Sequence, residues 1–131
     1  MARVIALTRD LLFGSRVQGA LVGAGHDVEL VADEGRLRER FLYAGEAGEG
    51  DGLSVDALVA DLTDAELDGA AIVASLKADG GLGKTRTLAF YSHVDAAARE
   101  RAEQAGFDLV VARSRMAREG AELVAGLLAR G

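Results

Sequence analysis

The sequence predicts an α/β domain built on a doubly wound, five-stranded parallel sheet with helices on both faces. Three observations lead there. Strand-like and helix-like segments alternate along the chain, five times without interruption. Strict alternation of this kind gives parallel strands joined by right-handed crossovers. Second, the stretch 54–69, SVDALVADLTDAELDG, holds a strand that is apolar on both sides. Val55, Ala57 and Val59 share one face, and Leu58, Ala60 and Leu62 share the other; only Asp56 near the start departs. A strand covered on both faces belongs in the middle of a parallel sheet. Third, the chain has 131 residues of which 50% are hydrophobic, enough for one domain with a real core. With five units the common strand order is 2-1-3-4-5, and residues 1–131 are expected to form a single domain.

The elements follow in order. Val4 to Leu7 is a short apolar run with β-branched residues, read as the first strand, and Thr8, Arg9 and Asp10 follow it. Leu11 to Ala24 carries Leu12, Val17, Ala20, Leu21 and Ala24 near helical spacing, and Gly25 ends it as a C′ glycine. His26 to Val31 sets Val28 and Leu30 against Asp27 and Glu29, the alternation of a half-buried edge strand. A second helix is expected over Glu34 to Ala44, with Leu37, Phe41 and Leu42 or Tyr43 toward the core. The glycine-acid run Gly45 to Gly52 breaks both periodicities and reads as a flexible connection. After the central strand, a helix runs from about Asp68 to Ala78, followed by a glycine loop over Asp79 to Lys84. Thr87 to Tyr91 is the fourth strand, ending at Ser92. Asp95 caps a fourth helix that runs to Ala105 and closes at Gly106. Leu109 to Ala112 is the fifth strand, ending at Arg113, and a last helix covers about Ala117 to Leu128.

Composition removes several classes of function. Without cysteine there are no disulfides and no thiolate metal sites. His26 and His93 are too few and too far apart to suggest zinc. A formal net charge of -6 argues against a nucleic-acid-binding face. No apolar run approaches the roughly 20 residues of a membrane span, and the start MARVIALTRD lacks the apolar core of a signal peptide. The expectation is a cytoplasmic protein with no nucleic-acid or membrane partner.

In an open parallel sheet, ligands and chemistry gather at the carboxyl ends of the strands, at the point where the strand order reverses. Here that point lies between strands one and three. The candidate residues are therefore Asp61 at the end of the central strand and Thr8, Arg9 and Asp10 at the end of the first. Ser92 and Arg113, at the ends of strands four and five, complete the candidate pocket.

In this order and spacing the chain resembles the receiver domain of response regulators, a flavodoxin-like fold, over nearly its whole length. Asp61 matches the aspartate that accepts a phosphoryl group, and Asp68-Gly69 matches the Asp-Gly pair that opens helix three in many members. Ser92 matches the hydroxyl residue after strand four; Ala105-Gly106 and Val110-Val111 match the turn before strand five and the strand itself. The departures concern the chemistry. Receivers carry an acidic pair after strand one that holds Mg²⁺; Thr8 and Arg9 stand there. Receivers carry a lysine followed by proline after strand five; Arg113 and Ser114 stand there, and Val110 replaces the aromatic switch residue. The resemblance implies a pseudo-receiver that keeps the acceptor and the hydroxyl but lacks the metal site and the lysine.

Moving a phosphoryl group onto a carboxylate brings two anions together, and a carboxylate-held divalent cation normally neutralises them. Asp61, with Asp10 displaced by two positions, is a poor magnesium site, and Arg9 adds a repelling charge. The expectation is an ion-pair cluster of Arg9, Asp61 and Arg113. Phosphorylation with arginine in place of the metal, and an anion or small-molecule site, remain as alternatives. Residues 79–85, DGGLGKT, end like a phosphate-binding loop, but they precede a strand instead of linking strand to helix, so an ordinary turn is expected. Gly23-Ala24-Gly25 follows a helix and lacks the third glycine of a dinucleotide site. His26 is expected to start strand two in solvent, His93 to sit at the rim of the pocket, and Arg36, Arg38 and Arg40 to lie on a solvated helix face.

The expected function is that of a stand-alone degenerate receiver in two-component signal transduction, acting through protein contacts, with no cofactor and no catalysis of its own. The chain ends just after helix five, so no output domain is expected. The partner implied by the resemblance is a histidine kinase or another regulator. A homodimer through the helix four, strand five and helix five face is also implied, where Arg99, Arg101, Glu103, Arg118, Glu119 and Glu122 mix both charges. The alternatives are a working phospho-acceptor in a phosphorelay and a flavodoxin-like binder of phosphate or a nucleotide.

Overall fold

The central strand is the most enclosed part of the molecule, and the sheet is laid out around it. The computed structural model describes residues 2–43 and 54–130. Its strands are β1 (Arg3–Leu7), β2 (Asp27–Val31), β3 (Ala57–Asp61), β4 (Arg86–Tyr91) and β5 (Leu109–Ala112). All pair in parallel, in the order β2-β1-β3-β4-β5, as the alternation predicts. Every residue of β3 is buried, whereas the edge strand β2 is buried only at Val31.

The helices are α1 (Leu11–Gly23), α2 (Glu34–Arg38), α3 (Gly69–Ala78), α4 (Ala96–Ala105) and α5 (Arg113–Ala129). They divide between the two faces of the sheet. Phe13, Val17 and Leu21 of α1 pack with Met116, Val124 and Leu127 of α5 over Val4, Val59 and Phe90. On the other face Leu37 of α2, Ile72 and Leu76 of α3 and Ala102 of α4 cover Ile5, Leu7 and Leu58. The alternation of side chains along each strand sends neighbouring residues to opposite layers.

Local chemistry ends these elements where the sequence says it should, with exceptions. Gly25, at φ +95°, closes α1: its N–H donates to the Val22 carbonyl (2.9 Å), and the His26 N–H donates to Leu21 (3.0 Å). That pair of bonds is the Schellman closure, which favours glycine. Gly106, at φ +87°, ends α4 in the same left-handed conformation. The second helix departs from the expected run to Ala44: α2 is five residues long and passes into a π-helical turn, Glu39–Tyr43. The expected connection over Gly45 to Gly52 lies outside the described residues, as do the side chains of Leu42 and Tyr43.

The last helix begins at Arg113, four residues before the expected start at Ala117. A proline at 114 would push residue 113 out of the helical region; Ser114 does not, so the helix starts directly after β5. It is not straight. Glu119 has φ −127° and ψ 19°, a break between two helical stretches, and a Cβ at the adjoining Gly120 would lie 3.4 Å from Met116 Cε.

Candidate functional site

Parallel register sets the first contact. Leu7 lies opposite Ala60, so the next residue of each strand, Thr8 and Asp61, meet where the strands end. Thr8 Oγ1 donates to Asp61 Oδ2 at 2.7 Å. Thr8 Oγ1 in turn accepts the Asp10 N–H at 3.1 Å, which leaves the hydroxyl's one proton for the carboxylate. The other oxygen, Asp61 Oδ1, accepts both the backbone N–H of Thr63 (2.7 Å) and its hydroxyl (2.6 Å). Asp61 is only 1% exposed, so these three donors replace the water it loses.

The expected ion-pair cluster of Arg9, Asp61 and Arg113 does not form. Arg9 turns to the loop after β3, where Nε meets Asp64 Oδ2 at 2.7 Å and Nη2 meets Glu66 Oε1 at 3.2 Å. Arg113 Nη2 meets Asp10 Oδ2 at 3.2 Å, and its guanidinium carbon lies 4.1 Å from the centre of the Phe13 ring. Short hydroxyl side chains and the Thr63 N–H already satisfy the buried carboxylate, and both arginines pair with other carboxylates. Asp10 serves a second purpose: its Oδ1 accepts the Phe13 N–H at 3.0 Å and caps α1.

Two clefts open at this end of the sheet. One, of about 510 Å³, is lined by Arg9, Asp10, Asp61, Thr63, Asp64 and Glu66, among others. The second, of about 550 Å³, lies toward α1 and α5. Ser92, Arg113 and, as expected, His93 line it, together with Arg16 and Ser114. The structure thus brings Thr8 to Asp61, joins Arg113 to Asp10, puts Ser92 in the second cleft and turns Arg9 away. Thr63 is the member of the site that the sequence reading passes over. Its signal was present, since an aspartate commonly accepts the N–H two residues on, as in an Asx turn. Asp64 and Glu66 gave no such signal, because their pairing with Arg9 spans two loops distant in sequence.

The magnesium that the fold family implies does not fit these residues. A hard cation needs free oxygen ligands. Both Asp61 oxygens accept protein donors, Asp10 is held by Arg113 and the α1 cap, and a neutral hydroxyl stands at position 8. Among the described residues no group of three or more His, Cys, Asp or Glu side chains is arranged to hold a metal.

Behind the site, Gly69 is a steric requirement. A Cβ there would lie 3.0 Å from Leu62 Cδ2 and 3.2 Å from the Asp61 carbonyl oxygen. Asp68 takes a left-handed conformation, φ 45°, and caps α3 through the Ala71 N–H (3.3 Å). The other motifs are structural. The loop 79–85 precedes β4 at the opposite end of the sheet, where the Thr85 hydroxyl donates to the Val55 carbonyl at 2.7 Å. Arg38 and Arg40 are half-buried instead of solvated: Arg38 pairs with Glu34 and Asp79, and Arg40 with Glu29. His26 accepts the Ala2 N–H at 3.3 Å and lies just before β2, which starts at Asp27.

No protein-family model matches the sequence, and no curated protein matches it. Solved structures do match. The phosphorylated cyanobacterial phytochrome response regulator RcpA superposes with a TM-score of 0.79 at 15% identity, over 99% of this chain and 96% of that one. The signal receiver domain of NarL from Mycobacterium tuberculosis gives 0.74 at 20% identity, over 99% and 98%. A response regulator from Thermotoga maritima gives 0.72 at 14%, over 98% of each chain. The described residues therefore share the flavodoxin-like fold of receiver domains.

Proposed function

We propose that this protein is a degenerate receiver: a signalling module that acts through protein–protein contacts, without Mg²⁺-dependent phosphorylation and without turnover of its own. Its partner is a histidine kinase or another regulator. The observation that carries this reading is the hydrogen bonding of Asp61. Both oxygens of the buried carboxylate are engaged by Thr8 and Thr63. Attack on a phosphodonor needs a free, aligned oxygen and a positive charge at the transferring group. Thr8 and Thr63 occupy the oxygens, and the nearest arginines point elsewhere.

The deciding experiment is intact-mass spectrometry after incubation with a small phosphodonor and Mg²⁺. The unmodified mass is expected. Loss of about 4 kcal/mol of charge stabilisation slows transfer roughly a thousandfold. A gain of about 80 Da, one phosphoryl group, that vanishes in Asp61→Asn would make the protein a working phospho-acceptor.

A further inference from the structure

We propose that the cleft between α1, the end of β4 and the start of α5 binds a phosphate group, free or carried on a small organic molecule. This goes beyond the reading of Asp61 and does not depend on it. The polar groups on its walls are mostly donors: Arg16, Ser92, His93, Arg113 and Ser114. The one carboxylate there, Asp10, already accepts from the Phe13 N–H and from Arg113. Two guanidinium groups against one carboxylate give the cleft a local charge of +1 in a chain whose net charge is -6. A donor-rich, positive hollow in an acidic protein selects an anion with several acceptor oxygens.

Two features prepare it for that ligand. Arg113 lies over the Phe13 ring at 4.1 Å, which orients its planar fork. Arg16 is three residues beyond Phe13, so it rises on the same side of α1. It has no ion pair or hydrogen bond from its side chain among the described residues. Its guanidinium is therefore available for a bidentate bond to phosphate. The cleft of about 550 Å³ has the size of a small-molecule site, with room for more than the phosphate alone. No covalent step is involved, because Thr63 stands on the wall of this cleft with its hydroxyl proton given to Asp61.

The test is an amide NMR titration of the whole chain at low salt, with pyrophosphate and AMP as separate probes. Saturable shifts are expected at Arg16, Ser92, His93, Arg113 and Ser114. Arg16→Ala should weaken binding about tenfold, the loss of one charge-assisted pair. Arg16 is exposed, so this variant should fold. Arg101→Ala, on α4 and outside the cleft, should bind as the parent does. Tighter binding of AMP would mark an organic phosphate as the ligand, and tighter or equal binding of pyrophosphate a free one; either supports the site. The proposal is overturned if neither probe gives a saturable shift, or if Arg16→Ala binds undiminished. Asp61→Asn should keep the binding. A failed titration thus leaves the reading of Asp61 standing, and a phosphoryl adduct on Asp61 leaves the cleft standing.

Discussion

At the scale of single residues, Thr8 decides what Asp61 can do. A carboxylate at position 8 would share a metal with Asp61; a hydroxyl gives Asp61 a proton instead, at 2.7 Å. Thr8→Val keeps the shape and removes the donor, leaving a buried carboxylate oxygen unpaired. It should lower stability by about 1–3 kcal/mol, measured by urea unfolding, whereas Thr8→Ser should lose much less. Thr8→Asp should melt lower than the parent without metal, because two carboxylates then face each other. Added Mg²⁺ should restore part of the loss by binding the folded state, while the parent's melting temperature should ignore Mg²⁺. If Thr8→Asp ignores it too, the pocket lacks the space for a cation that its register implies. The sequence placed both Thr8 and Arg9 near Asp61, and the expectation paired Arg9 with the carboxylate. Thr8 faces it instead, because strand register and the acidic partners Asp64 and Glu66 decide where each side chain goes.

At the scale of elements, the connections carry the specificity. The turn from β3 to α3 presses Gly69 against the Asp61 carbonyl and Leu62. Gly69→Ala should therefore destabilise by about 1–3 kcal/mol, the usual cost of overpacking, despite the better helix propensity of alanine. Thermal melts monitored by circular dichroism would show it; an unchanged or raised melting temperature would mean the turn can yield. Elsewhere a side chain ties two connections: Lys77 Nζ on α3 donates to the Gly106 carbonyl at 2.8 Å, just after α4. Arg38 does the same between α2 and the end of α3, and its bonds to Glu34 and then Asp79 raise its pKa above the usual arginine value. Three caps were legible as single residues, Gly25, Asp95 and Gly106, whereas the capping roles of Asp10 on α1 and Asp68 on α3 were not. The early start of α5 was not, since it follows from the lack of a proline and not from any positive helix signal.

At the scale of the whole molecule, the dimer we propose rests on charge distribution. The face formed by α4, β5 and α5 ends the sheet at the edge strand β5. Its charges pair within each helix, Arg99 with Glu103 at 3.4 Å and Arg118 with Glu119 at 3.6 Å. Exposed pairs of this kind are worth little, so they can exchange partners across a two-fold axis at small cost. Sedimentation at low salt is expected to show a dimer that dissociates as salt is added. A monomer at high protein concentration and low salt would remove this face as a self-association surface. No helix among the described residues is long and apolar enough to cross a membrane.

The sheet order was legible in the sequence, and with it the end of the sheet where the candidate residues lie. Alternating periodicity and the doubly apolar stretch around Val59 set the topology, and topology puts Asp61 and Thr8 at one end of adjacent strands. Those are local or pattern properties, carried by residues close in the chain or repeated at a fixed period. The partners of the charged side chains were decided only in three dimensions. Arg9 follows β1 and Arg113 follows β5, both at the same end of the sheet as Asp61, yet neither bonds to it. Long flexible cations follow the nearest exposed carboxylate, and which one is nearest depends on loops that fold together from distant parts of the sequence. A buried carboxylate, by contrast, takes the short donors that register and turn geometry deliver: Thr8 across the sheet and Thr63 two residues on.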